Sequence, residues 1–169
     1  MQIYRPNQVS LTVTQDLDKE IIEEGRKFVS SYLFSNMADT SEYLALRFTS
    51  PNKDVHLSDV KTSVESGSLY ISLLENVTLN SNGVSVYSSN FNRKSNTESN
   101  LNIFVNPNVA SYGNTIYSTS ILSTGNKTSS LTDNLQHFIL DPTKDYLINV
   151  THVGTSSDVW VSLIWSNDD

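Results

Sequence analysis

The chain has no cysteine, which removes disulfides, thiolate metal ligands and cysteine nucleophiles together and leaves side-chain packing and backbone pairing to hold the fold. Glycine and proline are scarce, six and four in 169 residues, and no Gly-x-Gly-x-x-Gly or Walker-type phosphate loop occurs, so nucleotide binding is not expected. Lysine and arginine number 11 against 18 aspartates and glutamates, and a net charge of −7 argues against neutralising a phosphate backbone or an anionic membrane. No run approaches the roughly 20 apolar residues of a membrane-spanning helix. The start, Met1 to Ser10, lacks the charged-then-apolar order of a signal peptide. A soluble chain with no nucleic-acid and no membrane partner is the expectation.

What is abundant is uncharged polarity. Serine, threonine and asparagine number 27, 15 and 18 and make up 60 of the 169 residues, while charged residues are only 17 %. These side chains compete with the backbone for hydrogen bonds, so they disfavour helix interiors and favour turns and strand surfaces. Hydrophobic residues are 37 %, with eight Tyr, six Phe and two Trp, enough apolar surface for one packed core.

From Phe28 onward the chain reads as strand after strand: Phe28 to Phe34, Tyr43 to Phe48, Val55 to Val64, Leu69 to Val77, Val84 to Tyr87, Leu101 to Val105, Ile116 to Leu122, Gln136 to Leu140, Tyr146 to Val153 and Val159 to Trp165. Connections this short and polar leave no room for crossover helices, so the fold class is all-β, an antiparallel β-sandwich with a jelly-roll-like layout. In the last strand Val159, Val161, Leu163 and Trp165 share the core face, leaving Trp160 and Ile164 for a second layer or a partner. Asn82-Gly83 is the strongest hairpin signal, because both central residues of a type I′ turn need positive φ. Ser88 to Asn100 and Gly125 to Asn134 read as long loops, and Asp141 to Asp145 as a tight turn with Pro142 in second place.

Residues 1–27 read as an N-terminal arm and 28–169 as the sandwich domain. Five of the 18 acids fall between Gln15 and Glu24, where Leu17, Ile21 and Ile22 would share one face of a short helix stopped by Gly25. Val9, Leu11 and Val13 instead alternate with Ser10, Thr12 and Thr14 in a period of two, and a strand followed by a turn is the favoured reading of the arm.

Catalytic motifs are missing. His56, His137 and His152 form no His-Glu-x-x-His or His-x-His pair, and ordinary strand histidines are the expectation. The Gly-x-Ser-x-Gly elbow is absent, and Glu65, Glu75, Glu98, Asp133 and Asp141 cannot be paired for glycoside hydrolysis from spacing alone. No catalytic residue, metal ligand or cofactor site is assigned, and an enzyme is not expected.

Several phrases then occur in one order: Glu24-Gly25-Arg26, Leu74-Glu75, Asn90-Phe91-Asn92-Arg93, Asn106-Pro107-Asn108-Val109 with Gly113-Asn114-Thr115, the stretch Ile139 to Thr151, and Val161-Ser162-Leu163-Ile164-Trp165. From Glu24 to Trp165 this run resembles a family of small β-sandwich proteins encoded beside the capsid genes of tailed bacteriophages, known as decoration, auxiliary or minor head proteins. Asp141 stands where that family usually has a basic residue, and Ser166 where an aromatic often follows the final tryptophan. The resemblance implies a non-enzymatic virion protein, made in the host cytoplasm and bound to the outer capsid surface. Its implied partners are the major capsid protein, further copies of itself, and other head proteins or fibres. Tyr4, Val9, Leu11 and Val13 of the arm, with Arg93, are the expected capsid or subunit contacts, Arg93 being the residue whose guanidinium can instead clamp its own loop. The alternative is a carbohydrate-binding sandwich on a virion surface. Tyr87, Tyr112, Tyr117 and Trp160 are its candidate aromatics, although a core position is the commoner fate of each.

Overall fold

Alternation in the sequence becomes strands in space. A computed structural model describes residues 17–122, 129–131 and 137–168. In chain order these form helix α1 (residues 17–23) and strands β1 (Lys27–Met37), β2 (Thr40–Phe48), β3 (Val55–Val64), β4 (Ser68–Glu75), β5 (Thr78–Ser81), β6 (Val84–Val86), β7 (Ser88–Asn90), β8 (Leu101–Val105), β9 (Asn108–Ser111), β10 (Asn114–Leu122), β11 (Ser129–Leu131), β12 (Phe138–Leu140), β13 (Tyr146–Val153) and β14 (Ser157–Asn167). One sheet runs β11-β3-β14-β1-β7, with β12 also on β3. A second runs β10-β4-β13-β2-β8-β6, and β5 and β9 make a separate ribbon. The described pairings are antiparallel, as the sandwich reading requires.

The main core lies between the two sheets. Phe28, Phe34, Val161, Leu163 and Trp165 from the first sheet meet Leu46, Ile71, Ile103 and Ile148 from the second. The expected inward face of β14 is buried, and Trp160 points outward, 51 % exposed. Trp165 is fully buried, with its ring stacked on Phe28 at 6.0 Å between centroids.

The second sheet is also buried on its outer face. Leu44, Ala45 and Leu46 on β2, and Tyr146, Leu147 and Ile148 on β13, are consecutive buried residues, a pattern that strands covered on both sides produce. The cover is the β5–β9 ribbon: Val77, Leu79 and Val109 join Ala45, Leu74, Leu147, Tyr43 and Phe104 in a second small core. The result is a sandwich with a partial third layer.

That ribbon rests on an internal repeat of thirty residues: Asn76, Leu79, Ser81 and Gly83 recur as Asn106, Val109, Ser111 and Gly113. The register obeys a local two-fold. Leu79 pairs with Val109, and Thr78↔Ser111 is mirrored by Ser81↔Asn108. Likewise Asn114↔Glu75 and Thr115↔Leu74 are mirrored by Val84↔Val105 and Ser85↔Phe104. Each copy leaves the second sheet through an asparagine at positive φ, Asn76 at 58° and Asn106 at 52°, and returns through a glycine, Gly83 at 86° and Gly113 at 63°. The glycines lie against the opposite corners: a Cβ on Gly83 would strike the carbonyls of Val105 and Asn106, and one on Gly113 those of Glu75 and Asn76.

Three expectations are corrected. Asn82-Gly83 does not close a hairpin, because β5 pairs with β9 and β6 with β8; only Gly83 has positive φ, and Asn82 accepts a hydrogen bond from Arg47 Nη1 at 2.6 Å. Neither Ser88 to Asn100 nor Gly125 to Asn134 is all loop, since Ser88–Asn90 adds an edge strand to β1 and Ser129–Leu131 pairs with β3. The arm is helical over residues 17–23 rather than turning there, with Arg26 N–H donating to Ile21 O at 3.0 Å and Gly25, at φ 73°, ending the helix.

Gly83→Ala and Gly113→Ala are each expected to lower stability by about 1–3 kcal/mol, from strain at positive φ added to backbone collision. The local two-fold predicts similar losses, read as shifts of the urea midpoint; a neutral result at either position contradicts this account of the ribbon.

Candidate functional site

The residues named from sequence separate into three groups. Tyr4, Val9, Leu11 and Val13 lie outside the described residues, as does Asp133. Arg93 is exposed in the turn after β7, and no hydrogen bond or ion pair among the described residues engages its guanidinium, so the clamp within its own subunit is not what holds this loop. The third group is aromatic: Tyr87 is 77 %, Trp160 51 % and Tyr112 48 % exposed, whereas Tyr117 is half-buried against the main core. Core burial, the commoner fate, thus fails for three of the four.

The loop from Phe91 to Asn100 is held by side chains pointing inward. Asn90 Nδ2 donates to Gly25 O at 2.6 Å, and Asn92 Nδ2 to Glu23 O at 2.8 Å, tying the loop to the last residue of α1 and the turn that follows it. Asn90 Oδ1 accepts from Asn92 N–H and Asn92 Oδ1 from Lys94 N–H, two consecutive Asx-type turns at 2.8 and 3.1 Å. At the far end Asn167 Nδ2 donates to Glu98 O at 2.9 Å, and the buried Trp165 Nε1 donates to Ser99 Oγ at 3.1 Å. Ser99 Oγ also accepts from Leu101 N–H at 3.0 Å. Asparagine and serine thus replace the strand ladder here, because each carries both a donor and an acceptor on a short stem.

Between this loop and the β6–β7 corner lies an open cleft of about 590 Å³. Its lining includes Tyr87, Arg93, Asn96, Glu98 and Asn102, and none of these side chains takes part in a described hydrogen bond or ion pair. A second cleft of about 600 Å³, at the β4–β5 and β12–β13 corners, is different. Arg47 Nε binds Asp145 at 3.0 Å while its Nη1 reaches Asn82, and Lys144 Nζ binds Glu75 at 3.0 Å, so its charges are already matched. Glu75 beside Lys144 raises the lysine pKa, and hydrogen bonds from the Thr143 hydroxyl and N–H lower that of Asp141. These groups serve the turn rather than a ligand.

Among the described residues no group of three His, Asp or Glu side chains is placed to hold a metal ion. His56 Nε2 lies 3.9 Å from Asp168 Oδ2, His137 is exposed, and His152 is fully buried. His152 Nε2 is 2.8 Å from the carbonyl of Ser66, which can only accept, so Nε2 carries the proton, and the buried Nδ1 has no hydrogen-bond partner among the described residues. At the ribbon, a hydrogen bond to Tyr112, followed by burial, pushes the Tyr43 hydroxyl up to about 12.

No family model matches the chain, and no curated protein does. Among solved structures, a chain of the T13 infectious bursal disease virus particle aligns at 10 % identity over 84 % of this chain and 38 % of its own length, with a TM-score of 0.18. This chain therefore spans well under half of that one. The unassembled VP1 pentamer of KI polyomavirus aligns at 12 % identity over 83 % of this chain and 75 % of that chain, with a TM-score of 0.17. At such scores the likeness carries no argument for fold or function.

Ser99→Ala strands the buried Trp165 N–H and is expected to cost about 1–3 kcal/mol, read as a lowered thermal midpoint; unchanged stability contradicts the pinned loop. Tyr112→Phe is expected to bring Tyr43 ionisation down from about 12 toward the ordinary 10.0, followed by carbon NMR of labelled tyrosine. The sign follows from the raised folded value. Stability owed to neutral Tyr43 is complete below pH 10.0 and is lost as pH climbs toward 12, so the variant loses less over that window.

Proposed function

We propose that this protein is a non-enzymatic virion component, a decoration or auxiliary protein on the outer capsid surface of a tailed bacteriophage. In this reading it binds the major capsid protein and further copies of itself. The observation that carries the reading is where the family-like phrases fall. Asn90 to Arg93 is the pinned loop, Asn106 and Gly113 are corners of the covering ribbon, Asp141 to Thr143 is the turn between the sheets, and Trp165 is the centre of the core. The phrases thus coincide with the features that this sandwich needs in order to fold, in one order over one domain, and the resemblance to that family rests on them.

Surface chemistry agrees with a hydrated protein contact. Strand faces carry short hydroxyl pairs such as Ser31–Ser162 at 2.7 Å, Ser41–Thr151 at 2.7 Å and Ser72–Ser118 at 3.0 Å. Such side chains lose little rotamer entropy on being covered, unlike lysine or glutamate. On the first sheet the exposed Trp160 sits across from Leu33, and Ile164 across from Val29, giving apolar anchors beside the Ser31–Ser162 pair. Aromatic anchors in a polar surround are the usual source of interface energy.

In this account the N-terminal segment, with Tyr4, Val9, Leu11 and Val13, reaches the capsid lattice or a neighbouring copy. Purified protein mixed with capsids stripped of it should co-sediment at a fixed ratio, and deleting residues 2–14 should abolish binding while leaving the thermal midpoint in place. Unchanged occupancy of the deleted form removes the arm from the contact, and failure of the full chain to bind contradicts the capsid role.

A further inference from the structure

The two clefts described above have nearly the same size, about 590 and 600 Å³, yet only the second has its charged groups paired. In the second, Arg47 pairs with Asp145 within the lining and Lys144 with Glu75 behind it. In the first, a guanidinium (Arg93), a carboxylate (Glu98), two primary amides (Asn96, Asn102) and a phenol (Tyr87) share one concavity and make no described hydrogen bond or ion pair. The wall that carries them is nevertheless fixed, by Trp165 to Ser99 at one end and by Asn90 to Gly25 at the other. A fixed backbone presenting free side chains lowers the entropy lost when a ligand binds.

We infer that this cleft is a carbohydrate subsite, taking a neutral sugar ring. The chemistry fits that class. Tyr87, 77 % exposed at the corner where the chain leaves β6 for β7, puts into the lining an aromatic ring, the group that packs on the C–H side of a pyranose. Hydroxyls both donate and accept, and the lining holds groups for each role: Arg93 donates, Glu98 accepts, and Asn96 and Asn102 do both. The lining carries cation and carboxylate together, so it does not select an anion as a cluster of arginines would. This assignment does not depend on capsid attachment.

The test is a printed array bearing glucose-, galactose-, mannose- and N-acetylhexosamine-terminated glycans, probed with the labelled full chain. Binding to one sugar class is expected, with the signal falling about tenfold in Tyr87→Ala. Tyr87→Phe, which keeps the ring, should retain most of it, and Arg93→Ala should weaken it. Tyr112→Ala, on the ribbon, should leave it unchanged, and the thermal midpoints of Tyr87→Ala and Arg93→Ala should equal that of the parent. No signal from any glycan overturns the assignment, as does a signal that survives Tyr87→Ala. Loss of capsid binding in Tyr87→Ala, in a chain that binds no glycan, overturns it in favour of a protein contact and leaves the capsid role standing.

Discussion

A sheet whose central strands are apolar on both faces has to be covered on both faces, and in this molecule that requirement organises everything else. The inner face of the second sheet meets the first sheet. The outer face, through Ala45 and Leu147, has no described helix to lie against it. The chain solves this by sending two short strands across it in opposite directions, paired with each other about Leu79 and Val109. Crossing in this way forces sharp corners, which is why two asparagines and two glycines at positive φ sit at equivalent places thirty residues apart. The edge strands β6 and β10 are delivered to opposite ends of the sheet by the same manoeuvre.

Long strands were legible because the period of two survives wherever one face meets the core. The bounds read for β3, β8 and β13 agree with the structure, and so does the inward set Val159, Val161, Leu163 and Trp165. Short strands were hidden for a physical reason. β5 and β9 each have four residues and lie over a small second core, so no alternation marks them. The Asn82-Gly83 pair misled because a local propensity for positive φ does not say which strands flank the turn; pairing with β8 and β9 decided that. The thirty-residue recurrence of Asn, Leu or Val, Ser and Gly was the available signal for the crossing, and self-comparison of the chain would have exposed it.

The candidate site was less legible than the fold. Arg93 stood out as a cation in a polar loop, but nothing in the spacing indicated that Asn90, Asn92, Ser99 and Asn167 would do the fastening and leave the guanidinium free. The long-range partners are the reason: Ser99 is fastened by Trp165, and Asn92 reaches back to Glu23. In this chain short amides and hydroxyls fix the backbone, which leaves the longer side chains at the loop tip available to other molecules. That division of labour links the composition, rich in Ser, Thr and Asn and poor in charge, to a fixed backbone with its longer polar side chains exposed.

The most direct test of the proposed virion role is quantitative mass spectrometry of virus particles purified from the source of the chain, scoring the chain against the major capsid protein of those particles. A decoration or auxiliary protein is present in many copies at a constant ratio to that shell protein. Absence of the chain from particles of normal composition contradicts the account.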